Sequence, residues 1–253
     1  APPGARGARP GPTGAMAGPT GAGNATLRTL LRVCDDVDAG GTTLDGVDAR
    51  DMRREDLRAE FGMVLQDTWL FGGSIRENIA YGAEDASEAQ ISEAAEAASA
   101  DHFVRTLPEG YDTVVDDDGA SVSAGQRQLL TIARAFLSDP AILILDEATS
   151  SVDTRTEALV QQAMAALRTG RTSFVIAHRL STIRDADRIV VMVDGGIVEH
   201  VPPAQLPADE GAYSRLYAAQ CRGAAVALAL AAGPGVWAPR SRATPPFDGL
   251  ASL

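Results

Sequence analysis

An α/β fold built on a parallel sheet follows from three stretches of this 253-residue chain. The first is Ala141-Ile-Leu-Ile-Leu-Asp-Glu147, an apolar run after Pro140 that ends in two carboxylates. A parallel strand is buried on both faces, so its residues run apolar instead of alternating. The second is Thr172-Ser-Phe-Val-Ile-Ala177, a similar run with His178 at its carboxyl end. The third is Gly18-Pro-Thr-Gly-Ala-Gly23, which leads into the helical segment L-R-T-L-L-R. Sheets of this kind take ligands beyond the carboxyl ends of their strands, where Asp146, Glu147 and His178 are expected to stand. Paired acids there suit a magnesium ion and an attacking water.

The lead, residues 1–17, is mostly Ala, Pro, Gly and Arg, with nothing aromatic or β-branched apolar to repay the entropy of ordering. It is expected to be disordered, with Ala15-Met16-Ala17 the only strand-like residues before the glycine loop. Glycines let backbone N–H groups converge on an anion, and a helix amino terminus adds partial positive charge. The loop follows the phosphate-binding pattern G-x-x-x-x-G-K-[ST] through Gly18, Pro19, Thr20, Gly21, Ala22 and Gly23. It departs at Asn24, where lysine belongs, and at Ala25, where a magnesium-binding hydroxyl belongs. Thr26 comes one residue late, and a helix turns ~100° per residue, so it is no simple substitute.

Further along, Asp45-Gly46 reads as a hairpin turn and Phe61–Leu65 as a short strand ending at Gln66. Ser87 with Gln90 forms a capping box for a helix running towards Leu107, stopped by Pro108 and Gly110. Ser123 with Gln126 forms another, before a helix whose Leu130, Ala133 and Leu137 recur at helical spacing. Thr154 and Glu157 cap a helix through Leu167, which Gly170 terminates. Arg188–Val201 reads as strand, Asp194-Gly195-Gly196 turn, strand. From 221 to 253 the Ala/Gly/Pro-rich sequence is expected to be a disordered tail.

Composition narrows the function classes. With 22 basic and 34 acidic residues the net charge is −12, against the basic face that sequence-independent nucleic-acid binding needs. Cys34 and Cys221 match no zinc or redox spacing and fit a reducing compartment. The apolar run Ala224–Ala232 is well short of the ~20 residues of a membrane helix.

Taken in order, these pieces resemble the nucleotide-binding domain of ATP-binding cassette (ABC) transporters over roughly residues 18–220. The glycine loop resembles Walker A and Gln66 the Q-loop glutamine. Val122-Ser123-Ala124-Gly125-Gln126 resembles the signature, I-L-I-L-D-E Walker B, Ser150-Ser151-Val152-Asp153 the D-loop, and His178 the switch histidine. Asp116-Asp-Asp-Gly119 is similar to the acidic loop of exporters. The resemblance implies a P-loop NTPase core with a helical subdomain at about 67–138 and a small antiparallel β portion, its amino-terminal strands missing here. It implies ATP and magnesium as cofactors, with Asp146 and Gln66 organising the metal, Glu147 polarising water and His178 contacting the γ-phosphate. It also implies a second nucleotide-binding domain as partner, whose ATP the signature would complete, and the transmembrane domain of an exporter, contacted through D-T-W-L-F-G-G-S-I. With Asn24 and Ala25 in Walker A, the chain's own site is expected to be impaired and a heterodimer favoured, peripheral to the cytoplasmic face of a membrane. Alternatives are a dimerisation scaffold without turnover and a decayed gene product.

Overall fold

A computed structural model describes residues 11, 13–18, 21–23, 42–65, 68–83, 85–116, 122–146, 153–176, 186–201 and 211–214. Ten strands appear among them: β1 (Thr13–Ala17), β2 (Thr43–Leu44), β3 (Val47–Asp48), β4 (Phe61–Val64), β5 (Gly73–Ser74), β6 (Val114–Val115), β7 (Ile142–Asp146), β8 (Thr172–Ile176), β9 (Arg188–Val193) and β10 (Gly196–Val201). The principal helices are α1 (Arg54–Ala59), α2 (Ile75–Ala80), α3 (Glu88–Ala97), α4 (Asp101–Thr106), α5 (Ala124–Ser138) and α6 (Thr154–Arg168). The main sheet runs β10-β9-β1-β8-β7-β4, with β10 antiparallel to β9 and the other neighbours parallel. The fold is therefore α/β, with a mixed, mainly parallel sheet, as the apolar runs indicate.

The core explains the order. Leu143, Ile144 and Leu145 of β7 are all fully buried, the signature of a strand covered on both faces. Helix α5 lays Leu129, Leu130, Ile132 and Ala133 into the same cluster as Val64 and Leu143, joined by Val160, Ala163 and Leu167 of α6. A smaller cluster packs Ala15 and Ala17 against Ile189, Val191 and Tyr213.

That smaller cluster corrects the end of the expected disordered lead, whose residues 1–10 and 12 lie outside the described residues. Thr13–Ala17 is a central strand, paired with β8 on one side and β9 on the other. Ala15 and Ala17 are fully buried and Met16 nearly so. The strand's own residues have little β preference; ladders on both sides hold it. Three boundaries also differ from expectation. The helix expected to run from Ser87 towards Leu107 is two, α3 and α4, because Ser99 turns left-handed at φ 58° between them. Helix α6 is capped by Asp153, one residue earlier than Thr154, its carboxylate accepting from Arg155 N and Thr156 N. The strand expected over Phe61–Leu65 ends at Val64. Both two-residue turns form with left-handed central residues, Asp45 and Gly46 in one, Asp194 and Gly195 in the other. The tail from 221 lies outside the described residues.

Candidate functional site

Strand register brings the chemistry-bearing residues to one edge. Asp146 pairs with Ile176, and Ile176 pairs in turn with Met16. The acidic tip of β7 and the end of β1 are thus level in the sheet, two strand spacings or ~10 Å apart. The glycine loop leaves β1 at that edge. Val64, the end of β4, pairs with Leu145 on the far side of β7.

Each glycine of the loop has a local reason. A Cβ on Gly18 would lie 2.7 Å from Met192 O and 2.9 Å from Ala22 Cβ, so no larger residue fits. Gly21 (φ 85°) and Gly23 (φ 103°) are left-handed, and a Cβ on Gly23 would press on Gly195 Cα at 3.2 Å. Gly21 has open space where a side chain would stand. Ala22 is buried, and its carbonyl accepts from Gly195 N at 3.0 Å, tying the loop to the β9–β10 turn. A glycine-rich loop that is open at Gly21 and anchored through Ala22, at a strand's carboxyl edge, fits a phosphate group.

The second expected surface is the start of α5. Ser123 Oγ accepts from Gln126 N at 3.2 Å, and Gln126 Oε1 accepts from Ser123 N at 2.8 Å, a complete capping box. Val122 and Gly125 are buried while Ser123 is exposed, so the box is seated from below and its serine faces outward. Arg127 donates to Val122 O at 3.1 Å, bracing the turn before the helix. Beside Gln126 lies a cavity of about 470 Å³ floored by Phe103, Leu129 and Leu159 and edged by Arg155 and Thr156. Its lining comes from α3, α4, α5 and α6 and includes no described residue of the glycine loop.

Of the residues expected to act, the structure places Gly18, Gly21, Ala22, Gly23, Val122, Ser123, Ala124, Gly125, Gln126, Asp146 and Asp153. Pro19, Thr20, Asn24, Ala25, Thr26, Gln66, Glu147, Ser150, Ser151, Val152 and His178 lie outside the described residues. Asp153 has a local duty besides any other: the amides of Thr156 and Arg155 hold its carboxyl below the usual range. Among the described residues no group of three His, Cys, Asp or Glu side chains assembles that could hold a metal.

The sequence pointed to Trp69 and Phe71 only as part of the stretch D-T-W-L-F-G-G-S-I, and not to the cluster they form with Tyr81 and Arg134. Trp69, Phe71 and Tyr81 stack with centroids 6.0, 6.5 and 5.7 Å apart. The Arg134 guanidinium of α5 lies 5.9, 5.7 and 5.5 Å from the three ring centroids. Three rings within thirteen positions, in a chain only 5% aromatic, were the available signal.

The comparisons with known proteins agree with this geometry. The family described as ABC transporter matches residues 7–150, more than half of the chain. A fatty acid ABC transporter ATP-binding/permease protein of Mycobacterium tuberculosis is 57% identical over 195 residues, which are 77% of this chain and 31% of that protein. An ATP-dependent lipid A-core flippase of Syntrophus aciditrophicus is 52% identical over 198 residues, 78% of this chain and 33% of the flippase. The solved structure of a bacterial Atm1-family ABC exporter with ATP bound superposes with a TM-score of 0.76 at 40% identity, over 83% of this chain and 36% of that one. The chain thus spans about a third of the length of these relatives. No described helix is long and apolar enough to cross a membrane.

Proposed function

This chain belongs to the ABC transporter family, and from that membership we propose that it is the ATP-binding domain of an exporter, working as one of two nucleotide-binding domains beside a transmembrane domain, at the cytoplasmic face of a membrane. The observation that carries this is the shared edge: the open glycine loop after β1 and Asp146 at the tip of β7 are level in one sheet. Relatives whose names state ATP binding or ATP dependence support it.

The roles are those that the family resemblance implies, each consistent with the chemistry of its side chain. The amides of the loop Gly18–Gly23 cradle phosphate, and Asp146, with Gln66, would hold magnesium. Bound there, magnesium would neutralise charge on the phosphate oxygens. Glu147, one residue beyond Asp146, orients and deprotonates the water, and His178 donates towards the γ-phosphate. Ser123, outward-facing at the start of α5, offers its hydroxyl to ATP held by the partner domain. Ser150–Asp153 are assigned to the D-loop by the same resemblance.

The two halves of this machinery are unequal. Asn24 in place of lysine removes a cation from the phosphates, and a lost hydrogen bond to a charged group costs ~1.5–3 kcal/mol, or ~10–100-fold in binding. Hydrolysis suffers more than binding, because charge on the transferred group's surroundings grows in the transition state. Ala25 removes a magnesium ligand that water can replace. The chain's own site is accordingly weak, while its signature completes a partner's, which favours a heterodimer. The lipid-like substrates in the relatives' names make an amphiphile the first cargo to test.

The test is a melting-temperature titration with magnesium-ATP on the purified chain. A ligand that binds only the folded state raises that temperature in a concentration-dependent way, with the logarithm of its concentration once the site is filled. A shift only at high ATP, strengthened on pairing with an intact domain, is the expected result. No shift alone or paired overturns the reading and leaves a non-catalytic scaffold.

A further inference from the structure

The cavity of about 470 Å³ beside Gln126 has no part in the reading above. Helix α5 supplies its floor through Leu129, which is buried, with Phe103 of α4 and Leu159 of α6 half-buried beside it. One wall is the corner between α3 and α4, where Ser99 lines the cavity in a left-handed conformation at φ 58°. The other wall is the first turn of α6, with Arg155 and Thr156. Pockets that take small organic ligands enclose about 300–1,000 Å³ and combine an apolar floor with a few polar groups. This one has both.

The charges on its rim give it a polarity. Glu96 of α3 and Arg155 of α6 stand on the two walls. Neither makes an ion pair or a side-chain hydrogen bond with any described residue. Asp101, the other carboxylate of the lining, is already engaged. Arg105 Nε donates to its two oxygens at 2.8 and 2.7 Å, and the Tyr111 hydroxyl donates to Oδ1 at 2.7 Å. His102, exposed on α4, completes the polar rim. Glu96 lies in the last turn of α3 and Arg155 in the first turn of α6. Each opposes its own helix dipole, which disfavours an acid at a carboxyl end and a base at an amino end. Helix stability therefore does not account for the pair. A ligand with a cation at Glu96 and an anion at Arg155 would relieve both placements.

We propose that this cavity binds a small zwitterion with an apolar body, of the class of a free amino acid with a large apolar side chain. Its carboxylate pairs with the fork of Arg155 and its ammonium with Glu96, while its side chain covers Phe103, Leu129 and Leu159. The two helix dipoles act in the same sense, because they favour an anion at the start of α6 and a cation at the end of α3. Exposed ion pairs contribute modestly, so they set which ligand is taken, and the apolar floor supplies most of the affinity. The site needs neither nucleotide nor a second domain.

The test is an amide-shift titration of the full chain by NMR, with phenylalanine as the probe. Shifts should centre on Gln126 and Thr156, the lining residues in the first turns of α5 and α6. Phenethylamine lacks the carboxylate and phenylpropanoate lacks the ammonium. Each should bind about 2–5-fold more weakly than phenylalanine, the worth of one exposed ion pair. Arg155→Gln should weaken phenylalanine and phenylpropanoate by that factor and leave phenethylamine unchanged. Glu96→Gln should weaken phenylalanine and phenethylamine and leave phenylpropanoate unchanged. Both side chains are exposed, so neither variant threatens the fold. Equal binding of phenylalanine and either analogue, shifts centred elsewhere, or no saturable shift with any probe overturns the proposal. The titration needs no nucleotide, so its failure is distinct from failure of the ATP reading, which the melting titration reports.

Discussion

The starts of α2, α3 and α5 have the same local chemistry and put it to different use. Ser74 with Glu77, Ser87 with Gln90 and Ser123 with Gln126 all form reciprocal capping boxes. In the first two the serine hydroxyl also donates back to its partner's side-chain oxygen, at 2.9 Å in each. At α5 that third bond is absent among the described residues: Ser123 Oγ accepts from Gln126 N, and its own proton goes to no described group. A hydroxyl has one proton to donate. The boxes at Ser74 and Ser87 are closed on themselves, whereas at Ser123 the hydroxyl donates to no group among the described residues. The lesson is that Ser-x-x-Gln identifies a helix start, and only the orientation of the hydroxyl separates a cap from a cap that can also bind.

The largest effect that tests this contrast is on turnover. Ser123→Arg, assayed as ATP hydrolysis in the assembly with an intact partner domain, should abolish activity at the composite site. Loss of one oriented donor to developing charge alone costs ~100–1,000-fold, and the arginine adds bulk. Ser87→Arg in the same assembly should leave turnover near wild type. Turnover surviving in the Ser123 variant would sink the proposed role of α5.

Next in size is the other half of the machinery. Asn24→Lys with Ala25→Ser should tighten magnesium-ATP binding by ~10–100-fold, the worth of a restored hydrogen bond to a charged group. It is read as a melting shift appearing at correspondingly lower ATP. An unchanged titration would mean that the weakness of the chain's own site lies elsewhere.

A smaller effect isolates the cap from the chemistry. Ser87→Ala and Ser123→Ala should each cost about 1 kcal/mol of stability, a drop of about 2–4 °C in melting temperature for a domain of this size. Only the second should also reduce turnover. Equal losses of turnover in both would mean that capping alone accounts for Ser123.

How much of this was legible beforehand divides along physical lines. The strands β7 and β8 were visible because burial on two faces demands apolar runs, and α3 and α5 because a capping box is local. Strand β1 was not, since T-G-A-M-A has almost no strand preference of its own and is held by β8 and β9, more than 150 residues away in sequence. The division between α3 and α4 was hidden because a serine adopts a left-handed conformation there that glycine would have advertised. The site showed the same split. Asp146 and Ser123 were legible from motif and periodicity, whereas Arg134 meets Trp69 across 65 positions and left no local trace.

The fourth helix start, that of α6, offers the smallest test. Its cap is the carboxylate of Asp153, which accepts from Arg155 N at 3.1 Å and Thr156 N at 3.0 Å. Those amides, Thr156 foremost, favour the ionised form and hold its pKa below the usual carboxylate range. A carboxyl lowered on folding contributes stability that is fully present above its unfolded value, ~3.9, and is lost as pH falls through the folded value. The Ser–Gln boxes of α3 and α5 carry no carboxylate and do not titrate there, whereas the box of α2 contains Glu77, itself held low by its bonds from Ser74. Between pH 7 and 5 the melting temperature of Asp153→Asn should therefore lie slightly below wild type by a constant amount, and the gap should close as the solution is acidified below pH 4. The gap for Ser87→Ala should stay constant over the whole range. A gap for Asp153→Asn that persists into acid would show that the cap works through its shape and not its charge, and would place α6 with α3 and α5 instead of apart from them.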